Sequence, residues 1–261
     1  MPNFFLVCLS LRYKTNDSMA KIELVVFDMA GTTVTDRKEV ESCFAEACKN
    51  SRLAVSEERI LALQGYSKIE VFRLLWDEKI GSDHPEYVEN VFTSYDLFCE
   101  ILEEHYYKSP VIPTLGCLEV FEYLNTEGIK IGLTTGFYRK VADIILEKLG
   151  WLKGLDENYL SVSGEQSIID CSVTSDMVEK GRPAPYMIQK VMKQLGVEDP
   201  KKVINIGDTP SDLLSGINAG CLKSYGLSNG THTLEQLSFT ENDGILSNLS
   251  ELITEIKSLI N

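Results

Sequence analysis

The chain alternates between short, almost uninterrupted apolar runs and longer segments with helical spacing. The apolar runs cover residues 22–27, 129–134, 203–206 and 221–226. Such runs, rich in β-branched residues, are typical of strands that are covered on both faces. Helical patterns between them cover residues 139–149, 185–195 and 211–218. This alternation predicts an α/β fold, a parallel sheet wound with helices on both faces.

One long segment interrupts the alternation. Residues 39–108 lack a strong strand signal and carry apolar residues at three- and four-residue spacing, as in VFRLLWDEKI, which indicates helices. The segment follows the first predicted strand, so we expect a helical cap over the carboxyl ends of the sheet, where α/β proteins bind ligands. Additional core helices are the alternative. Residues 19–38 and 109–261 would then form the core domain.

Acidic residues outnumber basic ones, 39 to 25, in a chain of 261 residues. The net charge of -14 would repel the phosphates of nucleic acids and anionic membranes, so neither partner is expected. A small anionic substrate would depend on a few local cations and backbone amides. The seven cysteines form no CxxC pair, which is typical of free thiols in a reducing compartment.

The chain begins with a short apolar stretch. Residues 4–11 are too few to span a bilayer and follow no basic residues, so we expect neither a membrane span nor a secretory signal. A second methionine, Met19, stands just before the first predicted strand. Residues 1–18 are therefore expected to be a poorly ordered extension, and the protein is expected to be cytosolic.

Two polar motifs follow the first two predicted strands. In FDMAGTTVTD, Asp28 ends a strand and could serve as a nucleophile and metal ligand. In LTTGF, Thr135 and Gly136 offer a hydroxyl and a backbone N–H to a phosphate. Each feature also has an ordinary structural interpretation, as a strand-capping Asp and a common loop sequence.

Two more motifs precede or open predicted helices. GRPAP places Arg182 where it could pair with a phosphoryl group or with Asp28, although an ordinary surface arginine is the alternative. GDTPSD places Asp208 after a strand and Asp212 four residues later. Two carboxylates at this spacing could face the same pocket, one coordinating a hard cation such as Mg²⁺ and the other orienting a water or ligand. Alternatively, one of them could cap the helix.

In this order, the four motifs resemble the haloacid dehalogenase superfamily in its phosphohydrolase branch, from Ala20 onward. The resemblance implies a Rossmann-like core and an aspartyl-phosphate formed on Asp28. It assigns the phosphoryl group to Thr32, Thr135, Gly136 and Arg182. It assigns Mg²⁺ to Asp28, Asp208 and the carbonyl of Ala30, supported by Asp212.

Ala30 departs from most phosphatases of this superfamily, which have a second Asp there that protonates the leaving alcohol. Without a general acid, an alkoxide leaving group loses roughly two to four orders of magnitude in rate. Ala at this position is similar to phosphonoacetaldehyde hydrolase, which cleaves a carbon–phosphorus bond. In that family a cap lysine forms a Schiff base with the aldehyde. The stretch QGYSKIEVFRLL fits the pattern and makes Lys68 the candidate, both catalytic and substrate-binding.

Three residues then differ from the phosphonatase pattern. Gln64 replaces a methionine, Val71 replaces a histidine that shuttles the imine proton, and Phe137 replaces a tyrosine. The chain therefore looks more like the phosphonatase-like hydrolases, which share LTTGF, GRPAP and GDTPSDL. Whether Lys68 forms a Schiff base or only recognises the substrate stays open.

These observations predict a Mg²⁺-dependent hydrolase of a small phosphonate or phosphate metabolite. An ordinary phosphomonoesterase is the alternative, and a non-catalytic metabolite-binding protein is a third. A homodimer through the cap is a further hypothesis, because the segment is rich in aromatic residues, although those side chains could equally form its core. They are Phe72, Trp76, Tyr95, Phe98, Tyr106 and Tyr107.

Overall fold

A computed structural model describes residues 22–260 and contains one six-stranded sheet in which every neighbouring pair is parallel. The strand order is β3-β2-β1-β4-β5-β6. The strands are β1 (Leu24–Asp28), β2 (Lys130–Thr135), β3 (Cys171–Thr174), β4 (Val203–Gly207), β5 (Lys223–Leu227) and β6 (Gly244–Leu246). The predicted α/β class with a parallel sheet is confirmed. The predicted extension, residues 1–18, lies outside the described residues.

Strand β1 lies in the middle of the sheet, between β2 and β4. Every residue of β1 is buried, which explains its uninterrupted apolar sequence. Asp28 ends this strand opposite Thr134 of β2. The two edge strands on either side, β3 and β6, are four and three residues long. Strands this short have no detectable periodicity in the sequence, and neither of them was predicted.

The three helices predicted between strands, residues 139–149, 185–195 and 211–218, are observed to within one residue at each end, and helices cover both faces of the sheet. After the insert these are α5 (Cys117–Glu127), α6 (Arg139–Leu149), α7 (Tyr186–Leu195), α8 (Pro210–Ala219), α9 (Leu234–Ser238) and α10 (Glu251–Ile260). Helix α8 begins after Thr209, whose side chain accepts from the N–H of Asp212, and it ends before Gly220 in the left-handed region. Its amino end is therefore fixed beside the end of β4.

Residues 39–108, hereafter the insert, contain helices and no strand. These are α1 (Glu39–Asn50), α2 (Glu57–Ala62), α3 (Lys68–Ile80) and α4 (Tyr87–Lys108). Helices α1 and α3 pack against α4. Phe44, Phe72 and Phe98 meet at their centre, with ring centroids 4.8 to 6.2 Å apart. The insert thus has an aromatic centre of its own, which adjoins the main hydrophobic core.

Most aromatic residues that suggested a dimer face are buried inside the chain. Phe72, Trp76, Phe98 and Tyr106 are at most 5% exposed, whereas Tyr107 is 60% exposed. The homodimer stays a prediction. Between residues 22 and 260, none of the helices has the length and apolar character that crossing a membrane requires. The six cysteines in that range are unpaired.

Candidate active site

Three carboxylates meet at the carboxyl edge of the sheet. Asp28 ends β1, Asp208 directly follows β4, and Asp212 lies in the first turn of α8. An oxygen of each lies within 4.8 Å of an oxygen of the others, and all three residues are buried. The sequence motifs predicted this meeting, because carboxyl ends of adjacent parallel strands share one edge of the sheet.

Arg182 lies between these carboxylates. Its Nη1 donates to Asp28 Oδ1 at 2.6 Å and lies 2.8 Å from Asp212 Oδ1. Its Nη2 donates to the hydroxyl of Thr134 at 2.6 Å. The guanidinium is buried, so the surface alternative for this arginine is wrong. It holds Asp28 by one oxygen, and Oδ2 of Asp28 accepts no hydrogen bond from the part of the chain described.

Asp208 is enclosed by backbone and hydroxyl donors. Thr32 donates its hydroxyl to Oδ1 at 3.2 Å, and the N–H of Thr231 donates to Oδ2 at 2.6 Å. Gly31 has φ of +92°, and a Cβ there would overlap the Asp208 carboxylate, so only glycine allows this approach. Thr32 is fully buried, and its hydroxyl is directed at Asp208 rather than at the cavity described below.

Asp212 has two roles in the structure. Its Oδ2 accepts from the N–H and hydroxyl of Thr209 at 3.0 and 2.6 Å, which completes a capping box at the start of α8. Its Oδ1 faces Arg182. The capping interpretation and the approach to the carboxylate cluster therefore both hold, because the helix start and the cluster lie at the same point.

Negative charge accumulates in this cluster. Burial raises the pKa of Asp28 well above its ordinary range, although Arg182 opposes the shift. Burial and the neighbouring Asp212 raise the pKa of Asp208 to about 6, against the hydrogen bonds from Thr231 and Thr32. One guanidinium thus leaves the three carboxylates under-compensated. Oxygen ligands with excess negative charge are what Mg²⁺ prefers, so the residues present fit that ion.

A cavity of about 40 Å³ opens beside Asp28. A water needs roughly 10–15 Å³ on this measure, so the cavity admits a group of a few heavy atoms. Thr135 and Gly136 line one wall, together with Ala30 and Arg182. The predicted phosphoryl-binding residues at the end of β2 are therefore brought to the nucleophile candidate.

The insert contributes Gln64, Gly65, Tyr66 and Lys68 to the lining of the same cavity. Gly65 has φ of +78°, and a Cβ there would overlap the hydroxyls of Ser211 and Thr209. A Cβ on Gly136 would lie 2.9 Å from the carbonyl oxygen of Gly65. Glycines on both sides thus let the backbone of the insert pack directly on the loops after β2 and β4.

Lys68 begins α3 and lines the same cavity as Asp28. It is 7% exposed, and its Nζ lies 5.8 Å from the centroid of the Phe44 ring. Burial lowers the pKa of Lys68 to about 8, against the attraction of Asp36 and Asp28. The structure therefore buries the insert lysine in the cavity beside Asp28.

Several cavity residues escaped sequence reasoning. Asp36 lines the cavity, and burial together with Glu39 raises its pKa to about 8. It stands at the end of FDMAGTTVTD, where a carboxylate after a turn carries no special signal. Gln64, noted only as a departure, and Thr231, in the loop after β5, also line the cavity. The QGYSK stretch around Gly65 was a sequence signal that could have indicated Gln64, whereas no sequence signal indicated Thr231.

Comparison with known sequences identifies the class of protein to which this fold and this site belong. Residues 22–220 match the haloacid dehalogenase-like hydrolases. The chain belongs to this family and is an enzyme, a hydrolase.

Its similar relatives lie in the phosphonatase group. Phosphonoacetaldehyde hydrolase from Bacillus cytotoxicus is 35% identical over 217 residues, covering 77% of this chain and 74% of the relative. The enzyme of that name from Bacteroides fragilis is 30% identical over 213 residues, with the same shares covered. The resemblance to phosphonatase-like hydrolases is confirmed.

Solved structures confirm the fold. A phosphonoacetaldehyde hydrolase-like protein from Oleispira antarctica superimposes with a TM-score of 0.75 at 21% identity, covering 100% of this chain and 96% of that one. A putative β-phosphoglucomutase from Bacteroides vulgatus also gives a TM-score of 0.75, at 18% identity, covering 94% and 92%. At these identities the likeness concerns the fold alone.

Proposed function

We propose that the enzyme hydrolyses a small phosphonate or phosphate ester, with Mg²⁺ and through an aspartyl-phosphate on Asp28. The observation that carries the proposal is the shared cavity: Asp28 of the core and Lys68 of the insert line the same small space. A nucleophile and a buried cation that line one small cavity suit an anionic substrate held by both.

The residues of the chain divide the work of phosphoryl transfer. Arg182 holds Asp28 by Oδ1 and so directs Oδ2 toward the phosphorus. The Thr135 hydroxyl and the Gly136 N–H would bind the phosphoryl oxygens, and Thr32 would act through Asp208. The phosphorus–leaving-group bond breaks as the Asp28–phosphorus bond forms, and the leaving group departs with the bonding electron pair and takes a proton from water. A water molecule then attacks the phosphorus, releases phosphate and restores Asp28.

Bound Mg²⁺ supplies positive charge that offsets the repulsion between a carboxylate nucleophile and an anionic phosphoryl group. Its proposed ligands are Asp28, Asp208 and the carbonyl of Ala30, with Asp212 in support. The buried, under-compensated carboxylates support this assignment.

We further propose that helices α1 to α4 form a cap that opens to admit substrate. The cavity is too small, at about 40 Å³, for a whole metabolite to enter and leave through a fixed opening. Closure of the insert would exclude water and bring Lys68 to the substrate.

Ordinary phosphomonoester hydrolysis is the second candidate, and Asp36 favours it. Residue 30 is Ala and offers no acid, but Asp36 lines the cavity with a pKa raised to about 8 by burial and Glu39. A carboxyl group that stays protonated near neutral pH could protonate an alkoxide leaving group.

The first experiment is phosphate release from phosphonoacetaldehyde and from a panel of small phosphomonoesters, with Mg²⁺ and with EDTA. We expect Mg²⁺-dependent release that Asp28→Asn lowers by at least roughly 10³-fold, while exposed Asp83→Asn leaves it unchanged. Undiminished release by Asp28→Asn would refute the proposal. Release from phosphonoacetaldehyde that Lys68→Arg abolishes would indicate a Schiff base, whereas release from esters alone would favour the second candidate.

A further inference from the structure

Two hydrogen-bond donors of the insert face the cavity without adequate acceptors. Gln64 is 7% exposed and lines the cavity, and its Nε2 has no hydrogen-bond partner within residues 22–260. Lys68 is equally buried. Its Nζ approaches Gln64 Oε1 and the carbonyl of Tyr66 only at 3.5 Å each, the outer limit of a hydrogen bond. It forms no salt bridge with any described carboxylate.

The neighbouring lysine determines which way the Gln64 amide is oriented. An ammonium group has only donors, so it must face the carbonyl oxygen of the amide rather than its NH₂ group. The observed orientation, with Oε1 toward Nζ, is therefore the favourable one. It leaves the NH₂ group of Gln64 without an acceptor, beside an ammonium that forms no salt bridge within residues 22–260.

This arrangement destabilises the folded chain unless a ligand satisfies the two donors. A buried donor without a partner destabilises the fold, and an unpaired buried charge does so more strongly. Native proteins keep few such groups, and those that persist call for an explanation such as a ligand. A ligand carboxylate would satisfy both groups, because its two oxygens can accept from the amide and from the ammonium, and its charge pairs with the latter.

We propose that Gln64 and Lys68 bind the carboxylate of a short phosphate ester. This assignment rests on the proposed function in one respect, that the phosphoryl group of the substrate lies against Asp28. Lys68 is then a recognition cation rather than the nucleophile of a Schiff base.

The surroundings of the pair suit that substrate. The cavity is small, so the carbon skeleton between phosphorus and carboxylate must be short, and Val40 and Phe137 give it an apolar wall. Asp36 also lines the cavity, and with its pKa raised to about 8 it is mostly protonated at neutral pH and repels a carboxylate little. The phosphonatase pattern has methionine at position 64, which offers no N–H donor, so the amide is a feature of this chain.

The test compares two ligands that this reaction does not consume, phosphonoacetate and ethylphosphonate, which carry a carboxylate and a methyl group respectively. Isothermal titration calorimetry with Mg²⁺ should show the native enzyme preferring phosphonoacetate by roughly 10- to 100-fold, the value of charge-assisted hydrogen bonds. Gln64→Met and Lys68→Met should each reduce the preference about tenfold. Gln189→Met, an exposed glutamine-to-methionine change on α7, should leave it unchanged. If Gln64→Met fails to fold, Gln64→Glu replaces it and should also remove the preference.

Equal affinity of the native enzyme for both ligands would overturn the inference, as would a folded Gln64→Met variant with its preference intact. Trapping of Lys68 by borohydride in the presence of phosphonoacetaldehyde would also overturn it. The proposed function and the carboxylate site would be refuted by different results. Absence of phosphate release with the preference retained would refute only the hydrolysis, and release with equal binding would refute only the carboxylate site.

Discussion

At the scale of single residues, the most informative group is the Lys68 ammonium. Burial lowers its pKa to about 8 although Asp36 and Asp28 attract its charge. About one molecule in ten therefore carries a neutral amine at pH 7. A nucleophilic amine would gain reactivity as the pH rises through this value, whereas a recognition cation would lose affinity, so pH separates the two roles.

We predict that the preference for phosphonoacetate over ethylphosphonate falls as the pH rises above about 8, by roughly tenfold at pH 9. Protonated Lys68 supplies the ion pair, and deprotonation of Asp36, whose pKa is also raised to about 8, adds repulsion of the ligand carboxylate in the same direction. Calorimetric titrations from pH 6.5 to 9.5 measure the ratio. The Lys68→Met variant should show a shallower decline than the native enzyme; a native ratio that increases with pH would contradict the prediction.

The burial of Lys68 also predicts how the free energy of unfolding depends on pH. The pKa of Lys68 is lower in the folded state, about 8, than in the unfolded chain, so the unfolded state binds more protons between these values. The free energy of unfolding should therefore rise with pH from about 8 to about 10.5. We predict that Lys68→Met raises the free energy of unfolding at pH 7 by up to about 3 kcal/mol.

Urea denaturation at pH 7 and pH 10 checks this effect, and Lys193→Met, an exposed change on α7, is the matched control. The advantage of Lys68→Met should shrink at pH 10. A Lys68→Met variant less stable than the native enzyme at pH 7 would show that the lysine stem contributes more by packing than its charge costs.

The catalytic candidates could be found from the sequence because each follows a detectable strand or opens a detectable helix. Asp28, Arg182 and Asp208 belong to motifs whose spacing is local. The state of Gln64 could not be predicted in this way. Its free amide depends on the position of Lys68 and on the depth of the cavity, and both require the folded chain.

At the scale of elements, the junction between insert and core is the critical feature. The backbone at Gly65 lies against Ser211 and Thr209 of the core, and Ser211 donates its hydroxyl to the carbonyl of Gln64 at 3.4 Å. This contact places α3, and so Lys68, over the sheet edge. Any side chain at position 65 must push the two parts away from each other.

We predict that Gly65→Ala lowers kcat/KM by at least roughly tenfold, because a 1 Å displacement of a positioning group has effects of that order or larger. Gly81→Ala is the matched control: Gly81 also has positive φ, +84°, but a Cβ there meets nothing within 4 Å. Both variants place a side chain at positive φ, where the backbone is strained in either case. Equal activities would show that the close approach at position 65 is unimportant.

The aromatic centre of the insert gives a second prediction at this scale. Phe72 is fully buried against Phe44 and Phe98, so Phe72→Ala should lower the free energy of unfolding by about 3–5 kcal/mol. Phe92, on α4, is 48% exposed, and Phe92→Ala should change it by less than about 1 kcal/mol. Thermal and urea denaturation measure both. Similar losses would indicate that Phe92 is covered in solution, as a dimer face on α4 would require.

The element boundaries show what periodicity can and cannot supply. Helix α6 was predicted with its observed bounds, because Gly150 ends an amphipathic pattern cleanly. Strand β3 was missed, since four residues after a long irregular stretch have no period to measure. It is specified instead by pairing with β2, a contact between distant parts of the chain.

At the scale of the whole molecule, the net charge of -14 opposes the approach of the anionic substrate that we propose. The local cations Lys68 and Arg182 are buried and act only at short range. Salt should therefore assist association by screening the general repulsion.

We predict that kcat/KM for an anionic substrate rises several-fold between 0.01 and 0.1 M NaCl, as the screening length falls from about 30 to 10 Å. Steady-state kinetics at fixed Mg²⁺ measure this dependence, and kcat should change little. A decline in kcat/KM over the same range would show that the local cations already determine the approach of the substrate.

The general architecture could be predicted because strands alternate with helices along most of the chain and one helical segment interrupts them. The substrate could not, because the residues that would select it differ from the pattern of the phosphonatases and act only through their placement in the cavity. The motifs thus indicated the class of reaction. Which compound is hydrolysed depends on contacts between the insert and the core.

The contact between Gly65 and Gly136 also separates two parts of the enzyme that differ in how readily their residues can change in evolution. The carboxylate cluster is interlocked, since Asp28 and Asp212 share Arg182 and Asp208 lies within 4.8 Å of both, so one replacement disturbs the others. The residues at the start of α3 have few such dependencies. A new substrate could therefore be acquired through single replacements at positions such as Gln64 while the phosphoryl-transfer chemistry is inherited unaltered.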